Sequence, residues 1–152
     1  MTLPDLLAAD CVASSLSGTT KDDVLSELAA LVSSAVPADA EQIRAVLQQR
    51  ERLNTTAIGE GIAIPHGRLG GISQVHAGFA RCPAGVDFQS VDGQPTRLFF
   101  VLLAPEDAAA MHLKALARVT RILKGAEFRQ HLLDLDTREE IYRALIEEDG
   151  RF

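Results

Sequence analysis

Apolar positions along the chain alternate between helical and strand-like spacing, and the changes of spacing divide it into elements. Leu3, Leu6, Leu7, Val12 and Leu16 lie in a mixed opening segment, which predicts a short helical turn and an edge strand before the turn at Gly18-Thr19. Thr20 suits an N-cap, with Asp23 three residues on as a variant capping box, and Val24, Leu25, Leu28, Leu31 and Val32 follow at helical spacing. This helix should end before Pro37. Asp39, with Gln42 three residues on, predicts the next N-cap. Ile43, Val46 and Leu47 form the stripe of that second helix, which should end near Leu53-Asn54.

The spacing then shortens. Ile62-Ala63-Ile64 reads as a short buried strand leading to His66, and Ile72 to Arg81 as a second strand with Val75, Ala77 and Phe79 on one face. Pro83-Ala84-Gly85 predicts a turn, Val86-Asp87-Phe88 a short strand, and Asp92-Gly93 another turn. Arg97 to Ala104 is a continuous apolar run suited to a central strand buried on both faces, stopped by Pro105. A helix is expected from Asp107–Ala110 through Lys124, with Gly125 as its C-cap and His112, Leu116, Val119 and Leu123 on one face. Ala126 to Leu135 predicts a short helix. Thr137-Arg138-Glu139-Glu140 is a capping box that opens a last helix carrying Ile141, Leu145 and Ile146. Helices, then strands, then helices predict an α/β sandwich: one mixed β-sheet flanked by α-helices on both faces.

Composition narrows the function. The 152 residues fit one domain with a proper core, 47% apolar and 24% charged. A net charge of −6 argues against nucleic-acid binding and against an anionic membrane surface. No apolar run is long enough to span a bilayer, and the acidic Met1–Asp5 start lacks a signal-peptide n-region. Cys11 and Cys82 form no CxxC, so buried, inert thiols in a reducing cytoplasm are expected.

Candidate chemistry gathers around Thr55-Thr56-Ala57-Ile58-Gly59-Glu60-Gly61-Ile62-Ala63-Ile64-Pro65-His66-Gly67. A histidine between a proline and a glycine, straight after a short apolar strand, projects from a stiff edge. Arg50 falls on the apolar stripe of the second helix, in its last turn, where a guanidinium either snorkels outward or points into a site. His112 opens a helix just after the central strand. Open α/β sheets place their sites at strand ends and helix starts, so His66, His112 and Arg50 are expected to converge.

A phosphoryl group suits that set. Imidazole is nucleophilic near neutral pH, and phosphoryl transfer needs mainly positioning and charge stabilisation. The Thr55 and Thr56 hydroxyls and the backbone N–H groups around Gly59 and Gly61 are candidate phosphoryl-stabilising donors.

Taken singly, each residue has a plainer reading. His112 suits a core-edge histidine, Arg50 a surface arginine, Gly59 and Gly61 a turn, and Glu60 a solvated charge. Glu51 suits either a pair with a nearby base or surface charge. His76 and His131 read as structural. A metal-dependent hydrolase using His66 and His112 lacks HExxH and a third ligand at recognisable spacing. A serine hydrolase lacks the GxSxG elbow.

Arg50-Glu51 followed by Thr55 to Gly67, with the downstream His112-Leu113-Lys114-Ala115-Leu116-Ala117, resembles the active-site signature of type-2 EIIA domains of the bacterial phosphotransferase system (PTS), the fructose, mannitol and nitrogen-regulatory class. The likeness covers nearly the whole chain, including the opening Leu3–Val32 segment and Val91-Asp92-Gly93-Gln94-Pro95. It implies a single EIIA type-2 domain over residues 1–152. His66 would accept a phosphoryl group from an HPr-type carrier, His112 would support the phosphorylated ring, and Arg50 would lie near the phosphoryl group. It implies no metal or organic cofactor. With no permease or carrier domain attached, the chain looks more like a nitrogen-regulatory EIIA, which acts through phosphorylation-dependent binding to a regulatory target. The alternatives are a sugar-specific EIIA passing the group to a permease EIIB, and a regulatory binding module that never carries phosphate. Thr55-Thr56-Ala57 stands where the family often has Ser-Thr-Gly, and Ala57 cannot take a positive φ as readily as glycine.

Overall fold

The longest apolar run becomes β6 (Thr96–Pro105), the strand around which the sheet is assembled. The computed structural model describes residues 1–152. Its elements are α1 (Leu3–Leu6), β1 (Leu7–Ala13), α2 (Lys21–Val32), a 3-10 turn (Ser33–Ala35), α3 (Ala40–Leu53), β2 (Ala57–Gly59), β3 (Ile62–Ala63), β4 (His66–Leu69), β5 (His76–Val86), β6, α4 (Ala109–Ile122), α5 (Ala126–Asp134) and α6 (Arg138–Asp149). The six strands run in the order β1-β5-β6-β3-β2, with β4 also paired to β6. β5 is antiparallel to β6, while β3 and β4 lie parallel to it on its other side, at Leu98–Phe99 and Leu102–Pro105 respectively. The sheet is therefore mixed.

Alternation along β6 splits the interior in two. Leu98, Phe100, Leu102 and Ala104 face a core completed by α1, α4, α5 and α6. Phe99, Val101 and Leu103 face a second core completed by α2 and α3. Each core holds an edge-to-face aromatic pair, Phe79–Phe100 at 5.0 Å and Phe88–Phe99 at 5.2 Å between centroids. The caps match the sequence reading: Thr20, Asp39 and Thr137 each accept the backbone N–H three residues on.

Several boundaries differ from expectation, each for a local reason. The expected strand Ile62–Ile64 is interrupted at Ile64-Pro65. Proline has no N–H for the ladder, and its carbonyl instead accepts from Leu102 N–H at 3.0 Å. The chain resumes as β4, so His66 opens a strand of its own. β5 begins at His76 rather than Ile72 and passes straight through Pro83-Ala84-Gly85. Gly85 takes φ 83°, and the register slips between Arg81 and Val86, so the expected turn is a bulge and Val86 is the strand's end. Gly125 does not cap α4. It is the N-cap of α5, in extended conformation. Ala57 lies within β2 with no positive φ, so the alanine there carries no backbone cost.

Three buried charged side chains tie the layers together. Asp149, at the end of α6, accepts Leu3 N–H at 2.9 Å and both Nε and Nη2 of Arg118 at 2.6 and 3.2 Å, joining α1, α4 and α6. Arg81 on β5 donates to Leu132 and Leu135 carbonyls at 2.9 and 2.6 Å and so caps the end of α5. Glu51 on α3 pairs with Lys21 of α2 at 2.9 Å. No helix is long and apolar enough to cross a membrane.

Two stability effects follow. A Cβ on Gly78 would lie 2.6 Å from Val32 Cγ1 and 2.9 Å from Val101 Cγ1, between α2 and the sheet. Gly78→Ala should cost about 1–3 kcal/mol in denaturant unfolding, while Gly70→Ala, facing only the flexible Glu106 carboxylate, should stay within about 0.5 kcal/mol. Asp149→Ala should cost about 2 kcal/mol, because Leu3 N–H and Arg118 lose their shared acceptor while Arg118 keeps some access to water. Unchanged unfolding midpoints in Gly78→Ala and Asp149→Ala would contradict both.

Candidate functional site

β4 forms the sheet margin beside β6, and here the two helical layers meet. α3 comes from one face and brings Val46, Gln49, Arg50 and Leu53. α4 comes from the other and brings His112. With His66, Gly67 and Arg68 of β4 these residues line one open pocket. The approach of α3 depends on Gly67, since a Cβ there would collide with Val46 Cγ1. The three residues expected to converge, His66, His112 and Arg50, thus share a single wall.

The His66 ring is held by one bond. Its Nδ1 lies 2.6 Å from the Ile64 carbonyl oxygen. A carbonyl only accepts, so Nδ1 carries the hydrogen and Nε2 keeps its lone pair. Nε2 makes no hydrogen bond within the protein. The ring is half-buried. Burial pushes its pKa below the usual histidine range, and the nearby Arg50 charge acts in the same direction; the Ile64 bond and Glu51 oppose them. The His66 ring is therefore held toward its neutral form at neutral pH.

His112 stands at the start of α4, with its ring 5.1 Å from that of His66 and nearly perpendicular to it (82°). It is 9% exposed, and its Nε2 is buried without a hydrogen-bond partner. Burial lowers its pKa too, reinforced by His66, Arg68 and Arg50. Arg50 uses Nη1 to reach both the carbonyl and the side-chain oxygen of Asn54 at 3.0 Å, leaving Nε and Nη2 without protein partners. Arg68 sits two residues beyond His66 on the same strand face, tethered only through Nη1 to the Glu106 carbonyl at 3.4 Å. It was not singled out from the sequence, although period-two alternation from His66 points to it.

The other expected donors lie elsewhere. Thr55 Oγ1 donates to the Phe88 carbonyl at 2.8 Å, and Thr56 gives both its N–H and its hydroxyl to Glu51 at 2.8 and 2.6 Å. Gly59 and Gly61 form the β2–β3 turn, with φ 101° and 79°, around Glu60. Gly61 lines a different cleft with Arg97 and Arg129, and Glu60 N–H is taken by Asp92 at 2.9 Å. These four residues shape the loop rather than surround the imidazole. Nowhere do three or more His, Cys, Asp or Glu side chains come together as they would to hold a metal ion.

The arrangement is a neutral imidazole with one free nitrogen, beside two guanidinium groups with spare donors and a second, unpartnered imidazole. It favours a compact dianion on His66 Nε2. Comparison with known proteins gives the family. Residues 5–148 match the family described as phosphoenolpyruvate-dependent sugar phosphotransferase system, EIIA 2. A nitrogen regulatory protein from Bradyrhizobium diazoefficiens is 41% identical over 145 residues, covering 95% of each chain. The fructose-specific EIIABC component of Bacillus subtilis is 31% identical over 150 residues, 98% of this chain but 24% of that longer one. The crystal structure of nitrogen regulatory protein IIA-Ntr from Neisseria meningitidis superposes with a TM-score of 0.88 at 29% identity, over 94% of this chain and 98% of that one. The chain belongs to the type-2 EIIA family of the phosphotransferase system.

Proposed function

We propose that His66 is the phosphoryl acceptor of a nitrogen-regulatory EIIA, with Nε2 as the attacking atom. The observation that carries this reading is the 2.6 Å bond from Nδ1 to the Ile64 carbonyl, which leaves Nε2 alone to face the pocket. The donor is a phosphohistidine on an HPr-type carrier. The Nε2 lone pair of His66 attacks phosphorus, the donor's P–N bond breaks, and its electrons return to the donor ring. His66 keeps its Nδ1 hydrogen throughout, and Ile64 accepts it as the ring becomes more acidic. The free N–H groups of Arg50 and Arg68 take phosphoryl oxygens, and the unpartnered Nε2 of His112 supplies a further hydrogen bond. Leu53, which lines this pocket and is 79% exposed, offers the carrier an apolar rim.

Phosphorylation adds roughly −1.5 to −2 of charge to an already acidic chain, which alters partner choice through repulsion rather than refolding. Similarity to the Bradyrhizobium nitrogen regulatory protein over nearly the full length of both chains favours a regulatory target in the cytoplasm as the relay's end. The similarity to a fructose-specific component supports a second reading, transfer onward to a sugar permease EIIB.

Labelled phosphoenolpyruvate, the general PTS enzyme and an HPr-type carrier should label the protein, and His66→Ala should abolish the label. Equal labelling of His66→Ala would overturn the assignment. Because both imidazoles bind protons less readily folded than unfolded, their contribution to stability is complete above the unfolded histidine value of about 6.5 and is lost as pH falls through and below it. The unfolding midpoint should therefore drop on acidification below about pH 6.5, and less so in a His66→Gln/His112→Gln double variant. The acid fall of the acceptance rate should have its midpoint below the ordinary histidine value of about 6.5, since burial lowers the pKa of His66. A rate that halves at the ordinary histidine pKa would count against a neutral, depressed His66.

A further inference from the structure

Glu51 is a buried carboxylate one residue from Arg50, and it has no contact with the pocket that His66 lines. It collects three hydrogen bonds. Lys21 Nζ reaches Oε1 at 2.9 Å, Thr56 N–H reaches Oε1 at 2.8 Å, and the Thr56 hydroxyl reaches Oε2 at 2.6 Å. Burying such a charge is costly unless it is well partnered, and the partners here are drawn from α2 and the segment entering β2. Thr56 is clamped from its other side as well, because its carbonyl accepts Ile64 N–H at 3.0 Å. Ile64 in turn offers its own carbonyl to His66 Nδ1 at 2.6 Å. A continuous series of short bonds thus runs from the Lys21–Glu51 pair through Thr56 and Ile64 to the imidazole. Between Ile64 and His66 stands only Pro65, whose φ is fixed.

The geometry points to Glu51 as a positioning residue for phosphoryl acceptance: through Thr56 and Ile64 it fixes the His66 ring in the one orientation and tautomer that turns Nε2 toward the pocket. This rests on His66 being the acceptor. Without the carboxylate, Thr56 loses the anchors of both its N–H and its hydroxyl, the Ile64 carbonyl is free to shift, and the ring can rotate or exchange its hydrogen to Nε2. A nitrogen bearing hydrogen cannot attack phosphorus. Lys21 serves the same end indirectly by holding the Glu51 carboxylate in place, and is itself steadied by a second bond to Gln89 Oε1 at 3.1 Å. The end of α3 therefore sets two things at once: Arg50, turned onto Asn54 beside the pocket, and Glu51, buried against Lys21 and Thr56.

The tautomer of His66 can be read directly by long-range 1H–15N correlation of its ring at about pH 8, on unphosphorylated full-length protein, alongside single-turnover transfer from the carrier. Wild type should show the Nδ1–H form alone. Glu51→Ala should show a mixture of tautomers and accept phosphoryl about 100-fold more slowly, the scale of a misplaced reacting atom. Thr56→Val, which keeps size but removes the hydroxyl, should show a smaller change of the same kind, about 10-fold in rate, and Thr56→Ser should restore both readouts. This pair decides the matter if Glu51→Ala fails to fold. Leu145→Ala, a cavity beneath α6 that touches none of Lys21, Glu51 and Thr56, should lower stability yet leave the His66 tautomer unchanged. A wild-type tautomer in the Glu51→Ala or Thr56→Val variant would overturn the assignment, whatever the rate. Failure of wild type to accept phosphoryl on His66 would instead sink the functional reading and leave the tautomer result standing.

Discussion

The carbonyl of Ile64 accepts a hydrogen bond from Nδ1 of His66 at 2.6 Å, and most of what the chain can do depends on that contact. A backbone oxygen in this position fixes the tautomer, because it can only accept. It also fixes the ring plane, because Ile64 lies two residues away across a rigid proline. The carbonyl stays in place because Ile64 N–H is bonded back to Thr56 and because Pro65 O is bonded to Leu102 of the central strand. The acceptor is thus part of the sheet's own bonding rather than an ornament on a loop.

The course of β3 and β4 along β6 gives that geometry a location. The register is kept across the gap at Ile64-Pro65, with Ile62 opposite Leu98 and His66 opposite Leu102, four residues further along β6. Pro65 has no N–H to donate, and its carbonyl still accepts from Leu102 N–H. His66 then lies where α3 arrives from one face and α4 from the other. Arg50 and His112, anchored in opposite layers, meet at the margin between them, and each layer's packing bears on the site. Asp149 illustrates the reach of this coupling, since it holds α4 through Arg118 and so bears on where His112 stands.

Much of this was legible in the sequence, for reasons that can be stated residue by residue. Thr20, Asp39 and Thr137 announce helix starts because capping is a local interaction between residues three apart. The Leu98–Ala104 run announces the central strand because burial on both faces leaves no polar alternation. His66, His112 and Arg50 stand out because each sits at an element's end. What escaped is non-local or depends on backbone conformation. Gly85 looks like a turn in sequence, and only pairing with β6 makes it a bulge. The Thr55 and Thr56 hydroxyls look available, yet Phe88, 33 residues on from Thr55, and the buried Glu51 claim them. Glu51 reads equally as paired or solvated until Lys21, from a different helix, is brought beside it. The charges of Arg81 and Asp149 give no local sign of burial, because their partners are distant along the chain or are backbone carbonyls. Arg68 was the one site residue within reach of simple alternation.

The position of the phosphoryl group on the ring is the most direct test. The protein, phosphorylated by its carrier and studied by 31P and 15N NMR, should carry a single phosphoramidate on Nε2 of His66, with Nδ1 still bearing its hydrogen. A phosphoryl group on Nδ1, or on another residue, would contradict the part that the Ile64 carbonyl plays in fixing the ring.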